Sequence, residues 1–210
     1  MFARDNIRDR VRKALADVHL DESPEYVPVP WDSPRSLASA DIVGLFAERL
    51  ADYGAHVVRA TTDTAREVIA ELLMHGGLGT LVVPPAFPEE LLPEGPWHTL
   101  DEPLTAAELD ASDGVVTTVA VGVAVTGTLI LDAGRGQGCR ALTLLPDYCL
   151  CVVRAEQIVS DLPDALELLG PFRSLTLISG PAATGDVELG QVEGVHRPRS
   201  LEIVIIEKSA

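Results

Sequence analysis

Cysteine is scarce in this chain: Cys139, Cys149 and Cys151 are the only three among 210 residues. The count is odd and no C-x-x-C pair occurs, which argues against a disulfide framework, a zinc site and an iron–sulfur cluster bound by the chain itself. Thiols used this sparingly fit a reducing compartment. Positive charge is short as well. Against 32 Asp and Glu stand 16 Lys and Arg, and the net charge of −16 repels phosphate backbones and anionic bilayers, so nucleic acid and membrane surfaces are poor partners. No apolar run suits a membrane span. The longest, residues 115–131, is interrupted by Gly122 and Gly127 and heavy in Val and Thr, the composition of buried strands. The opening residues are charged and helix-like with no apolar signal core, so a soluble, cytoplasmic protein without a secretory leader is expected. His19, His56, His75 and His98 fall in separate elements with no carboxylate or cysteine at ligand spacing, and no metal is expected. Internal repeats are absent.

What the chain does have is core material, with 47% hydrophobic residues, enough for one domain of ordinary size and a short appended arm. Residues 4–18 place Ile7, Val11, Leu15 and Val18 at helical spacing among arginines, an amphipathic helix. Residues 20–37 hold Pro24, Pro28, Pro30 and Pro34, which forbids regular structure and favours an extended arm. The division expected is therefore residues 1–37 as helix and proline-rich arm and 38–210 as an α/β domain, with the arm and its apolar stripe clasping a second copy in a homodimer.

In the main domain, Ile42, Leu45, Phe46, Leu50 and Tyr53 mark a helix ending at Gly54, and His56 opens a strand. Thr64 and Glu67 have capping-box spacing ahead of a second helix, followed by a strand at 80–83. Residues 84–103 carry six prolines and read as a long, lid-like surface excursion with at most a helical turn near 88–92. A second capping box, Thr105 to Glu108, starts a short helix. After the strands of 115–131, residues 141–146 read as extended and 148–153 as a strand. A helix over 155–169 with Pro163 as a candidate break, a strand at 175–178, a polar and helix-like run over 180–196 and a closing strand at 201–206 complete the chain. The alternation predicts an α/β fold, a mostly parallel sheet flanked by helices.

Two stretches carry candidate chemistry. In the first, Thr126, Gly127 and Thr128 suit close approach of a ligand, and Gly134, Gly136 and Gly138 interleave with Arg135, Gln137 and Arg140. Glycines leave backbone N–H groups uncovered, so this loop reads either as an ordinary turn or as an anion nest with guanidinium donors. No helix opens directly after it, which argues against a dinucleotide or P-loop fingerprint. The second comprises Gly180, Pro181, Thr184, Asp186 and Glu188, followed by Gly194, His196 and Arg197. It leaves a strand end, where open α/β sheets bind ligands. Asp186, Glu188 and His196 are candidate acid–base residues, or alternatively a helix cap, a solvated carboxylate and a satisfied loop histidine. If the two stretches meet, Arg135, Arg140, Arg197 and Arg199 make a cationic pocket for carboxylate or phosphate; ordinary salt bridges are the alternative.

These motifs resemble the LUD domain family of lactate-utilization proteins. The resemblance rests on Val125-Thr126-Gly127-Thr128-Leu129, the glycine-rich turn, Leu142-Thr143-Leu144-Leu145-Pro146, Ile178-Ser179-Gly180-Pro181, Asp186-Val187-Glu188 and Gly194-Val195-His196. It covers roughly residues 38–206. It implies a fold similar to that of sugar-phosphate isomerases, deaminases and coenzyme A transferases. It also implies a place beside iron–sulfur subunits that oxidise L-lactate to pyruvate, the clusters lying in those partners and none in this chain. Val125 stands where the family usually has Glu, so this position offers no carboxylate nucleophile; Ala182, Gly185 and Arg197 also depart from the family pattern. The leading expectation is an accessory subunit binding a small anionic metabolite or a partner, active in lactate oxidation only with iron–sulfur subunits. A free-standing enzyme on a phosphorylated or carboxylated metabolite, and a non-catalytic binding module, are the alternatives.

Overall fold

The structure, a computed structural model, describes residues 2–14, 41–169, 174–181, 183–184, 192–193 and 198–209. The chain divides into two units, residues 1–35 and 36–210. In the first, α1 (Phe2–Ala14) carries Arg12 and Lys13 in its last turn, where cations complement the helix dipole. Its Ile7 and Val11 are exposed. Leu15, Val18 and the proline-rich stretch lie outside the described residues.

The second unit runs α2 (Ile42–Asp52), β1 (His56–Thr61), α3 (Ala65–His75), β2 (Thr80–Val83), β3 (His98–Asp101), α4 (Ala106–Asp110), β4 (Gly114–Thr118), β5 (Val121–Val123) and β6 (Thr128–Leu131). It continues through β7 (Tyr148–Arg154), β8 (Ile158–Val159), α5 (Leu162–Leu169), β9 (Thr176–Ile178), β10 (Ala183–Thr184), β11 (Val192–Glu193) and β12 (Ser200–Glu207). Six of these strands form one sheet in the order β1-β12-β7-β4-β2-β3. Every pairing in it is parallel. A parallel sheet must be covered on both faces, and alternate residues of its strands do feed two cores. Val115, Cys149, Cys151, Ile203 and Ile205 pack with Phe46 and Leu50 of α2; Val116, Leu150, Val204 and Ile206 pack with Ile69 and Leu73 of α3. A smaller sheet, β8-β5-β6-β9, stands beside the main one.

Helix starts show how local signals fared. Asp41 caps α2 by accepting from the Gly44 N–H at 2.7 Å. Thr105 and Glu108 form the expected reciprocal box on α4, with Thr105 N–H donating to Glu108 at 2.7 Å and Glu108 N–H to the Thr105 hydroxyl at 3.3 Å. Thr64 forms no such box. Its hydroxyl instead accepts from Thr61 N–H at 3.1 Å, because Thr61 ends β1 and the intervening turn brings its amide to that oxygen.

Several expectations are corrected. Residues 84–103 are packed rather than lid-like: Phe87, Leu91 and Trp97 are buried, and β3 extends the main sheet alongside β2. A 3-10 turn at Glu89–Leu91 agrees with the helical turn expected there. The segment read as extended after residue 140 is a 3-10 turn, Arg140–Thr143. The helix expected over 155–169 is three elements, a 3-10 turn at Ala155–Gln157, β8 and α5, with Pro163 in the first turn of α5, where a missing N–H costs nothing. Within the run read as helix-like, β10 and β11 pair antiparallel. The closing strand, expected at 201–206, is β12 and lies between β1 and β7.

Candidate functional site

A cleft of about 370 Å³ opens at the carboxyl ends of β4 and β7, lined by Thr118, Asp132, Gly134, Arg135, Gln137, Arg154 and Gln157 among others. Carboxyl ends of neighbouring parallel strands are where ligands bind in open α/β sheets. The glycine-rich loop forms one wall and is strapped to the strand ends. Thr118 N–H donates to Gly136 O at 2.8 Å and Gly136 N–H to Pro85 O at 3.0 Å, while the Thr118 hydroxyl donates to Arg135 O at 3.0 Å. Gly136 and Gly138 hold φ of 73° and 66°, a region glycine enters without strain.

This strapping changes the anion-nest reading. Gly134 N–H donates to Asp132 Oδ1 at 3.1 Å, and Cys139 N–H to Glu102 Oε1 at 3.3 Å. Gln137 N–H donates to Gly134 O at 3.2 Å. With the Gly136 amide bound to Pro85 as well, four of the loop amides already serve protein acceptors. The cations that line this cleft are Arg135 and Arg154. Arg154 lies 3.9 Å from Glu90, both side chains well exposed, a loose pair of little energetic weight.

Two glutamines build the walls. Gln137, 5% exposed, accepts from Asp132 N–H through Oε1 at 2.7 Å and so fixes the loop entrance. Gln157 accepts from Arg154 N–H at 2.8 Å and donates to Val119 O at 2.6 Å, which sets the backbone from which the Arg154 side chain departs. Sequence reasoning named Gln137 only as a spacer and overlooked Arg154 and Gln157. The available signal was a lone cation ending an otherwise apolar strand, with a glutamine three residues on.

The remaining candidates fall elsewhere. Arg140 lines not this cleft but a hollow of about 60 Å³ behind the loop, with Thr143, Ser174 and Thr176. Thr126, Gly127 and Thr128 do meet Ser179, Gly180 and Pro181, since β6 and β9 pair antiparallel with Leu129 opposite Ile178. The Thr128 hydroxyl contacts Thr126 Oγ1 at 2.7 Å and Ser179 Oγ at 2.8 Å. This junction packs on the end of α2: a methyl at Gly127 would lie 2.7 Å from Arg49 Cβ, and one at Gly180 2.7 Å from Tyr53 Cβ. It lies at the opposite end of β6 from the glycine-rich loop, about 13 Å of strand away. Thr184 is in β10, opposite Val192. Asp186, Glu188, Gly194, His196 and Arg197 lie outside the described residues. Arg199 sits at the amino ends of the main sheet, 3.6 Å from Asp147.

Among the described residues, no three His, Cys, Asp or Glu are grouped to hold a metal ion. Cys149 and Cys151 are buried with sulfurs 3.7 Å apart, and Cys139 is exposed. No helix among the described residues is long and apolar enough to cross a membrane.

Comparison with known proteins gives the same picture from another direction. A lactate utilization protein C of Deinococcus radiodurans is 40% identical over 188 residues, covering 87% of each chain. One from Macrococcus caseolyticus is 23% identical over 205 residues, covering 89% of this chain and 87% of its own. A crystal structure of a DUF162 family protein from Deinococcus radiodurans superposes with a TM-score of 0.68 at 35% identity, covering 81% of this chain and 99% of that one. With the family model for the LUD domain matching residues 43–206, which span both sheets and the cleft, this chain belongs to the LUD domain family.

Proposed function

We propose that this protein serves lactate utilization as the cluster-free accessory subunit of an iron–sulfur-dependent L-lactate oxidation system, and that its carboxyl-end cleft holds a small carboxylate. The relatives named lactate utilization protein C support the role. The single observation that carries the ligand class is the placement of Arg135 and Arg154 around one cleft of about 370 Å³ in a chain of net charge −16. Guanidinium forks match a carboxylate in geometry and charge. Asp132, in the same wall, is suited to accept from a ligand hydroxyl, so a 2-hydroxy acid satisfies both groups. The chain's own residues bind and orient; electrons pass to clusters held by partner subunits.

A melting titration of the purified chain with L-lactate and pyruvate tests this reading. Saturating ligand raises stability by mass action, by about 2.7 kcal/mol at a hundred dissociation constants. Arg135→Ala and Arg154→Ala each weaken the affinity roughly ten- to hundredfold, the cost of one charged hydrogen-bond donor. The isolated chain shows no lactate-dependent dye reduction until iron–sulfur partners are added. An absent shift with every carboxylate, or one indifferent to both substitutions, removes the ligand assignment.

A further inference from the structure

The opposite end of the main sheet carries a second, larger cleft. It measures about 540 Å³ and lies at the amino ends of β4, β7 and β12. Its charge is inverted relative to the first. Asp110, Asp113, Asp147 and Glu202 line it, against the cation Arg199 and the imidazole of His75. His75 also closes α3, whose last carbonyls add the negative end of a helix dipole. Arg199 is held 3.6 Å from Asp147, and the Glu202 carboxylate contacts His56 Nδ1 while only 13% exposed.

Two features show that this wall is built rather than merely acidic. Asp113 is clamped by three donors, Gly79 N–H at 3.0 Å, Thr80 N–H at 2.8 Å and the Thr80 hydroxyl at 2.8 Å. These bonds hold its carboxyl below the usual carboxylate range, the Thr80 bonds contributing most. Independently, Tyr148 is 6% exposed, and its buried hydroxyl has no hydrogen-bond partner. Its ring is wedged between two glycines: a methyl at Gly76 would lie 3.1 Å from Cε2 and one at Gly114 3.1 Å from Cδ1. Burial, and then the neighbouring Glu202 charge, push the phenol well above its ordinary value, so it stays neutral and keeps a lone pair to offer. Leaving such a group unpaired is costly.

We propose that this amino-end cleft binds an organic alkylammonium group, with N–H donors directed to the Asp147 and Asp113 carboxylates and to the Tyr148 oxygen. An ammonium spreads several donors over separate acceptors, which suits carboxylates standing apart; a bare metal ion needs them converged, and the described residues hold no such convergence. The site is independent of the carboxylate cleft, which occupies the other end of the same strands.

The full-length chain is titrated by calorimetry and melting with 1,4-diaminobutane, ethylamine, an Nα-acetyl-lysine amide and Mg²⁺. The expected result is saturable stabilisation by the organic amines, falling with salt, and none of comparable strength by Mg²⁺. Tighter binding of the diamine than of the lysine amide assigns a free amine; the reverse assigns a lysine side chain of a partner. Tyr148→Phe leaves the melting temperature of the chain alone unchanged or raised, because an orphan hydroxyl is removed, and weakens amine binding about tenfold. Asp147→Asn weakens it similarly, with Glu202→Gln as the substitute should that variant not fold. L-lactate binding stays unaffected in Tyr148→Phe. No saturable amine effect, an effect matched by Mg²⁺, or one untouched by Tyr148→Phe overturns the proposal.

Discussion

The two glycine-bearing turns at either end of β6 look alike as letters and differ as physical objects. At one end Gly127 has φ of +57°, and the space for its missing side chain is filled by α2, with Arg49 Cβ at 2.7 Å and the Arg49 carbonyl carbon at 2.9 Å. That glycine exists so that a helix can press on a turn. At the other end Gly138 is also left-handed, but the atoms nearest a methyl there are the ends of the Leu142 and Glu102 side chains, at 1.9 and 2.7 Å, and not backbone. Its loop lies on the cleft wall rather than under a helix. The same residue type thus lies under a helix backbone in one turn and against side chains in the other, and only the neighbours tell them apart.

The largest expected effect breaks this comparison most directly. Gly127→Ala meets both left-handed strain and a backbone that cannot retreat, and is expected to cost about 2–4 kcal/mol in urea unfolding. Gly138→Ala adds to the strain a shift of the buried Leu142 side chain but of no backbone, about 1–3 kcal/mol. Equal losses at the two positions would show that side-chain and backbone obstacles weigh the same here, and the distinction would fall. Next comes Gln137→Ala, which leaves the Asp132 N–H without its 2.7 Å acceptor. A loss of about 1–3 kcal/mol is expected, together with weaker carboxylate binding as the loop entrance loosens. Unchanged binding in the folded variant would detach the loop from the cleft.

The contrast between identical signals extends to the two Thr-x-x-Glu starts. Thr105→Ala removes a real capping box and is expected to cost about 1 kcal/mol, whereas Thr64→Ala loses two exposed turn bonds to Thr61 and costs roughly half as much. A reversed order in thermal melts would contradict the assigned roles. The smallest effect concerns acid. Asp113 has a folded-state pKa below its ordinary 3.8. Its contribution is therefore present above that ordinary value and disappears as pH falls through the lower folded value. Because the group is exposed, solvent screening limits the contribution to under about 1 kcal/mol. The stability gap between wild type and Asp113→Asn is expected to close below about pH 4; a gap persisting at pH 2 would mean that charge is not its source.

Much of the fold was legible because its signals are local. The apolar stretch 115–131 announced buried strands and yields β4, β5 and β6. Thr105 and Glu108 announced a helix start. The hydrogen bond between Thr128 and Ser179 joins the Thr126–Thr128 turn to the start of the second stretch, within the smaller sheet. The misreadings share one cause. Strand β3 hides among prolines because an edge strand needs pairing on one side only, and β8 hides in a helical pattern because Ile158, buried in a strand, stands four residues before Leu162, which is exposed at the start of α5. Periodicity records burial and not which partner does the burying.

The sequence by itself determined the family, the α/β alternation and the scarcity of cysteine, since these depend on residue type and order. Tertiary structure alone decided which arginine matters where. Arg135 and Arg140 are five residues apart, yet the first lines the carboxyl-end cleft and the second a hollow behind the loop. Arg154, distant in sequence, joins the first because β4 and β7 are neighbours, with Thr118 opposite Val152. Strand order is set by long-range burial of both sheet faces, and no local pattern encodes which strand ends become neighbours.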